Sequence, residues 1–112
     1  MIVYGIKNCD TVRKARKFLD GRAADYEFHD FRQDGLDERT VNRWAEIVGT
    51  DQLVNRRSKT WHELPSEAKA ETSESAMVKL MVSEPTLIKR PVIEIDGLVL
   101  VGFDETALTE AL

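Results

Sequence analysis

Cys9 is the only cysteine in the chain, and it sits where a thiol could be made reactive. It falls between a short apolar run, Ile2-Val3-Tyr4-Gly5-Ile6, and the start of a stretch with helical periodicity. The unpaired N–H groups of a helix's first turn, together with the helix dipole, favour an anion at such a junction and lower a thiol pKa. Lys7, Arg13 and Arg90 are candidates to add positive potential, and Asp10 would oppose them. A thiolate is both a nucleophile and a redox centre, whereas a free cysteine is as commonly a small buried hydrophobe; position alone leaves these two readings level. One cysteine cannot close an intrachain disulfide or build a thiolate-rich zinc site. His29 and His62 are the only histidines, and neither has metal-ligand spacing to the other or to Cys9, so no metal site is expected and a surface role is assigned to both.

These residues need elements to hold them. The first apolar run suits a strand buried on both faces, hence an interior strand of a parallel or mixed sheet. Val12, Ala15 and Leu19 form the apolar face of a helix ending before Gly21, with Arg13, Lys14, Arg16 and Lys17 on its wet side and a basic last turn. Asp25 to Phe31 is rich in aromatics and reads as a second strand, completing a right-handed crossover unit. Asp37 is an N-cap, with Leu36 and Val41 placed as a hydrophobic staple, and Val41, Trp44, Ala45 and Val48 mark a buried helix face. Leu53 to Trp61 is irregular and cationic, with Arg56, Arg57 and Lys59 close together, and a further helix contains Ala76, Met77, Leu80 and Met81 and stops at Glu84-Pro85. Asp96-Gly97 separates two apolar runs and supplies the positive backbone angles of a hairpin turn. Phe103, Asp104 and Leu108 repeat the staple-and-cap pattern for a closing helix, Glu105 to Leu112.

The 112 residues suffice for one domain. An apolar share of 42% and a charged share of 32% are those of a folding chain. A formal charge of −4 argues against nucleic acid, whose backbone recruits clustered cations. No run approaches the roughly 18 apolar residues of a membrane span, and Met1 to Ile6 lead into Lys7-Asn8-Cys9 without a cleavable leader pattern, so the cytoplasm is the expected compartment and no membrane partner is expected. No heptad repeat or symmetric patch is visible, and a monomer is expected.

Tyr4-Gly5-Ile6-Lys7-Asn8-Cys9-Asp10-Thr11-Val12-Arg13-Lys14-Ala15 resembles the opening of the arsenate reductase-like (ArsC/Spx) family, most of all its YffB branch. Leu53-Val54-Asn55-Arg56-Arg57-Ser58-Lys59-Thr60-Trp61 is similar to the family's central arginine segment, and Ile88-Lys89-Arg90-Pro91-Val92-Ile93 to its arginine-proline segment. The resemblance covers essentially the whole chain. It implies an α/β, thioredoxin-like fold: a βαβ unit, a helical insertion at about 36–84 and a ββα unit, with a mixed four-stranded sheet, in one domain spanning 1–112. It also implies that Cys9 is the catalytic cysteine, Arg90 an oxyanion-binding arginine, Arg57 the central arginine and Pro91 a cis-proline beside the thiol. Asn8, Thr11, Arg13, Arg57, Arg90 and Pro91 are the positions so assigned to hold a substrate or glutathione.

The chain departs from true arsenate reductases, which carry a histidine four residues before the cysteine and a serine three after it; here Gly5 and Val12 stand there. Their later arginine after the hairpin is also missing from Leu98-Val99-Leu100-Val101-Gly102-Phe103. Spx-type regulators carry a Cys-x-x-Cys switch, whose second position is again Val12. Monothiol exchange is left: Cys9 attacks an oxidised substrate, and a separate thiol, glutathione or another donor such as glutaredoxin, resolves the intermediate. No permanently bound cofactor is expected. The alternative is an Spx-like adaptor that binds RNA polymerase or another protein; arsenate reduction ranks third.

Overall fold

The computed structural model describes residues 1–70 and 73–112. Along the chain, β1 (Ile2–Gly5), α1 (Asp10–Gly21) and β2 (Glu27–Asp30) are followed by α2 (Glu38–Val48), α3 (Thr50–Leu53), α4 (Lys59–Glu63), α5 (Ser66–Ala70) and α6 (Glu74–Ser83). A 3-10 turn, Pro85–Leu87, then leads to β3 (Val92–Ile95), β4 (Leu98–Val101) and α7 (Glu105–Ala111). The chain forms two compact units, one of Met1–Gly35 with Arg90–Leu112, the other of Leu36–Lys89.

The first unit holds the sheet, in strand order β2-β1-β3-β4. β1 runs parallel to β2 and antiparallel to β3, and β3 and β4 form the hairpin, so β1 is interior and the sheet is mixed. Asp96 (φ 48°) and Gly97 (φ 81°) both take left-handed angles, as a two-residue turn compatible with strand twist requires. Side chains alternate across β1: Val3 joins Leu19, Ile93 and Leu108 in a core beneath α1 and α7, whereas Tyr4, on the opposite face, donates its hydroxyl to Glu94 Oε1 at 2.6 Å. The helix after Cys9 buries Val12, Ala15 and Leu19 as its spacing requires, but it extends through Gly21 and no cation lies in its last turn. The basic residues instead occupy its middle, where Arg16 lies over the Phe28 ring at 4.1 Å. The βαβ and ββα units with helices inserted between them make this a thioredoxin-like α/β fold.

Asp104 caps α7 by accepting from the Thr106 and Ala107 amides at 3.0 and 3.2 Å. α7 is short, so it depends on this cap and on Leu108. Asp104→Ala is expected to cost roughly 1 kcal/mol, read as a lower urea midpoint at unchanged slope.

In the second unit, α2 buries Val41, Trp44 and Ala45, and α6 buries Met77, Val78 and Met81. Asp37 caps α2 through the Thr40 amide at 2.8 Å. The segment expected to be irregular, Leu53 to Trp61, runs into the five-residue helix α4, and α5 follows it; neither helix buries a residue fully. The Asn55 amide donates to Leu87 O and the Lys89 amide to Leu53 O, each at 2.7 Å, tying the segment after α3 to the one before Arg90.

Candidate functional site

Cys9 is the N-cap of α1, with extended backbone (φ −93°, ψ 127°). Its amide donates to Ile6 O at 3.1 Å and its carbonyl accepts from Arg13 N at 3.0 Å, so the Lys7-Asn8 turn and the first helical turn both fix its backbone. The thiol is half-buried and makes no capping hydrogen bond of standard geometry, leaving the Val12 and Thr11 amides beside the sulfur as oriented dipoles. Burial pushes the thiol pKa up. The Val12 amide, the Arg90 guanidinium and the Thr11 amide together outweigh burial and hold the pKa below its ordinary value.

Of the three cations expected to act on the sulfur, Arg90 does so, both as a hydrogen-bond donor and as a charge. Arg13 is turned into an exposed pair with Asp10, Nη2 to Oδ1 at 2.6 Å. Lys7 and Asn8 are exposed in the turn before Cys9, and Thr11 is exposed in the first helical turn.

Arg90 opens the return of the chain into the sheet. The Arg90–Pro91 bond is cis, Pro91 is buried, and its carbonyl accepts from Gly102 N at 2.8 Å. Arg90 Nε and Nη1 are buried and meet no hydrogen-bond acceptor among the described residues. Guanidinium donors normally find acceptors when removed from water, and an anionic ligand would supply them here.

Gly5 ends β1 directly against the helix: a Cβ there would lie 2.7 Å from Val12 Cγ2 and 3.3 Å from Cγ1. The two residues that depart from the arsenate reductase pattern are therefore in contact. With Val12 present there is no room for a side chain at position 5.

Arg57 belongs to the second unit, exposed in a turn organised by Asn55, whose Oδ1 accepts the Arg57 amide at 3.1 Å and whose carbonyl accepts the Ser58 hydroxyl at 2.8 Å. Beside it, Arg56 lies 5.3 Å from the centre of the Trp61 ring and 3.1 Å from Asp51. His62 is exposed, while His29 Nε2 lies 2.7 Å from Gly35 O and its ring is 4.9 Å from that of Tyr4. Among the described residues, no cluster of three histidine, cysteine or carboxylate side chains could hold a metal ion, and no helix is long and apolar enough to cross a membrane.

Asp30 was not singled out from sequence, yet it is the buried charged side chain of the described residues, 4% exposed. An aspartate at a strand end followed by polar residues reads only as the start of a turn; that its carboxylate faces the Cys9 loop depends on strand pairing.

The ArsC family model matches residues 4–111. A Haemophilus influenzae protein described as uncharacterized is 45% identical over 103 residues, covering 92% of this chain and 90% of its own length. The solved structure of the YFFB (PA3664) protein superimposes with a TM-score of 0.96 at 40% identity, covering 99% of this chain and 97% of its own. An arsenate reductase (ArsC) related protein from Brucella melitensis gives a TM-score of 0.78 at 39% identity, covering 97% and 91%. Agreement of this extent in sequence and in backbone places the chain in the arsenate reductase-like ArsC family, on its YffB branch.

Proposed function

We propose that the chain is a glutathione-dependent thiol reductase with Cys9 as its nucleophile. The observation that carries this reading is Arg90: one guanidinium favours the Cys9 thiolate and also presents two buried donors, Nε and Nη1, that lack an acceptor among the described residues. A thiolate beside buried guanidinium donors that the described residues leave without an acceptor suits attack on a disulfide whose other half carries carboxylates, as glutathione does.

The Cys9 thiolate attacks one sulfur of a mixed disulfide between glutathione and a second thiol; a Cys9–glutathione disulfide forms and the second thiol leaves as thiolate. A free glutathione thiolate then attacks the glutathione sulfur of that intermediate. Glutathione disulfide forms, Cys9 departs as thiolate, and the released thiol takes its proton from solvent. The resolving thiol must come from outside because the chain has one cysteine. Arg90 acts on the reacting sulfur and Pro91 follows it in sequence, Asn8 and Thr11 lie close to Cys9 along the chain, and Arg13 and Arg57 are carried over from the family resemblance alone as further glutathione-binding positions.

The test is alkylation of Cys9 by iodoacetamide across pH, with and without glutathione, alongside mass analysis after treatment with glutathione disulfide. A midpoint well below the roughly 8.5 of a free cysteine, protection by glutathione, and one added glutathione absent from Cys9→Ser are expected. An ordinary, unprotected thiol that takes up no glutathione would sink the reading.

A further inference from the structure

The Asp30 carboxylate is buried, charged and unused by the exchange chemistry above. Desolvation opposes its ionisation, and the Arg32, Lys7 and Gln33 amides overcome that opposition, holding its pKa below the usual carboxylate range. Its two oxygens serve different parts of the chain. Oδ1 accepts from Arg32 N at 2.7 Å and Gln33 N at 3.3 Å, closing the turn that follows β2. Oδ2 accepts from Lys7 N at 3.1 Å, across to the turn that delivers Cys9.

That second contact extends the β1–β2 pairing with a side chain. Gly5 pairs with Asp30, Phe31 N donates to Gly5 O at 2.9 Å, and the next donor along β1 is Lys7 N. The Ile6-to-Cys9 turn is then closed by Cys9 N on Ile6 O. Asp30 is itself held: its amide donates to Asp34 Oδ2 at 2.9 Å, and its carbonyl accepts from Asp34 N at 2.8 Å. A turn needs only one oxygen of an aspartate or asparagine, so the local role leaves Oδ2 unexplained.

We propose that Asp30 is a positioning residue for the thiol, clamping the Lys7 amide so that the Cys9 sulfur stays registered against the Thr11 and Val12 amides and Arg90. The role rests on the reading of Cys9 as a reactive thiol. Charge–dipole attraction falls steeply with distance and angle, so a loosened turn stabilises the thiolate less well.

Asp30→Asn separates the two oxygens. Its carbonyl can keep the Arg32 and Gln33 bonds, and its NH2 then meets the Lys7 N–H as donor against donor. The sign of the outcome discriminates. Loss of positioning raises the Cys9 pKa; mere removal of a negative charge favours the thiolate and lowers it. The expected result is an iodoacetamide pH profile displaced upward by roughly half a unit to one unit, with alkylation about three- to tenfold slower below the midpoint and equal to wild type at high pH. A depressed wild-type profile with the variant's superimposed on it or displaced downward overturns the Asp30 role alone. An ordinary wild-type profile overturns the reductase reading, and this role with it. If the variant does not fold, hydrogen exchange in the wild-type chain decides: a Lys7 amide slowed at least about tenfold relative to an unprotected amide supports the clamp, and one exchanging freely overturns it.

Discussion

Arg90→Ala is expected to raise the Cys9 pKa by roughly one unit and to lower kcat/KM with a glutathione mixed disulfide by about 100-fold or more. Two losses combine. Without the guanidinium, burial and the Thr11 and Val12 amides are left to contest the thiol pKa, and burial opposes the thiolate. About tenfold less thiolate is then present at any pH below both midpoints. The buried Nε and Nη1 donors disappear as well, and with them the charge-assisted contact proposed above for a substrate carboxylate. The ratio of wild-type to variant alkylation should be largest at acid pH and vanish once both thiols are ionised. Arg90→Lys should recover the charge but not the planar fork, so its thiol pKa should fall between the other two while substrate binding stays weak. An unmoved alkylation profile in Arg90→Ala would contradict the account of the site.

The same depression couples to stability. A thiol whose pKa is lower folded than unfolded contributes stability that is fully present above the unfolded value, roughly 8.5, and is lost as pH falls through the folded value. Arg90→Ala narrows that interval.

Gly5→Ala should destabilise the chain by roughly 1–3 kcal/mol although it adds a single methyl group. The new Cβ would sit 2.7 Å from Val12 Cγ2, on an interior strand paired on both sides and against a helical residue that is fully buried. Neither partner can withdraw without breaking the β1 ladder or lifting the first turn of α1. The cost should shrink sharply in a Val12→Ala background, which urea unfolding of the four chains in a double-mutant cycle would show. Strict additivity would mean that the contact is relieved elsewhere. The thiol should respond too, because Val12 carries the amide that lowers the Cys9 pKa most; a displaced first turn moves the alkylation profile upward. Gly5 and Val12 thus replace the histidine and serine of the arsenate reductase pattern as one packed unit, and restoring the histidine would require changing both.

Whatever depended on neighbours in sequence could be read without coordinates. The Asp96-Gly97 hairpin, the Asp37 and Asp104 caps and the buried stripe of α1 arise from turn angles, local hydrogen bonds and helical period, all of which act within a few residues. The place of Cys9 at a strand-to-helix junction is of the same kind. The five-residue helices α4 and α5 escaped because so few residues carry no period to read. The basic last turn expected for α1 was misplaced because the helix runs on through Gly21, one residue past the expected end, and its last turn holds no cation.

The chemistry of the thiol was decided by tertiary structure. Composition could not tell which of Lys7, Arg13 and Arg90 reaches the sulfur: Arg13 is taken by Asp10 one helical turn away, while Arg90 arrives with the strand that pairs with β1. The contact of Gly5 with Val12 and the reach of Asp30 to Lys7 likewise follow from the register of β1 against β2 and the seating of α1 on the sheet. The sequence by itself determined that one cysteine would stand at a helix start; only the fold decided which groups surround it, because electrostatic and packing energies depend on distances in space that chain spacing does not specify.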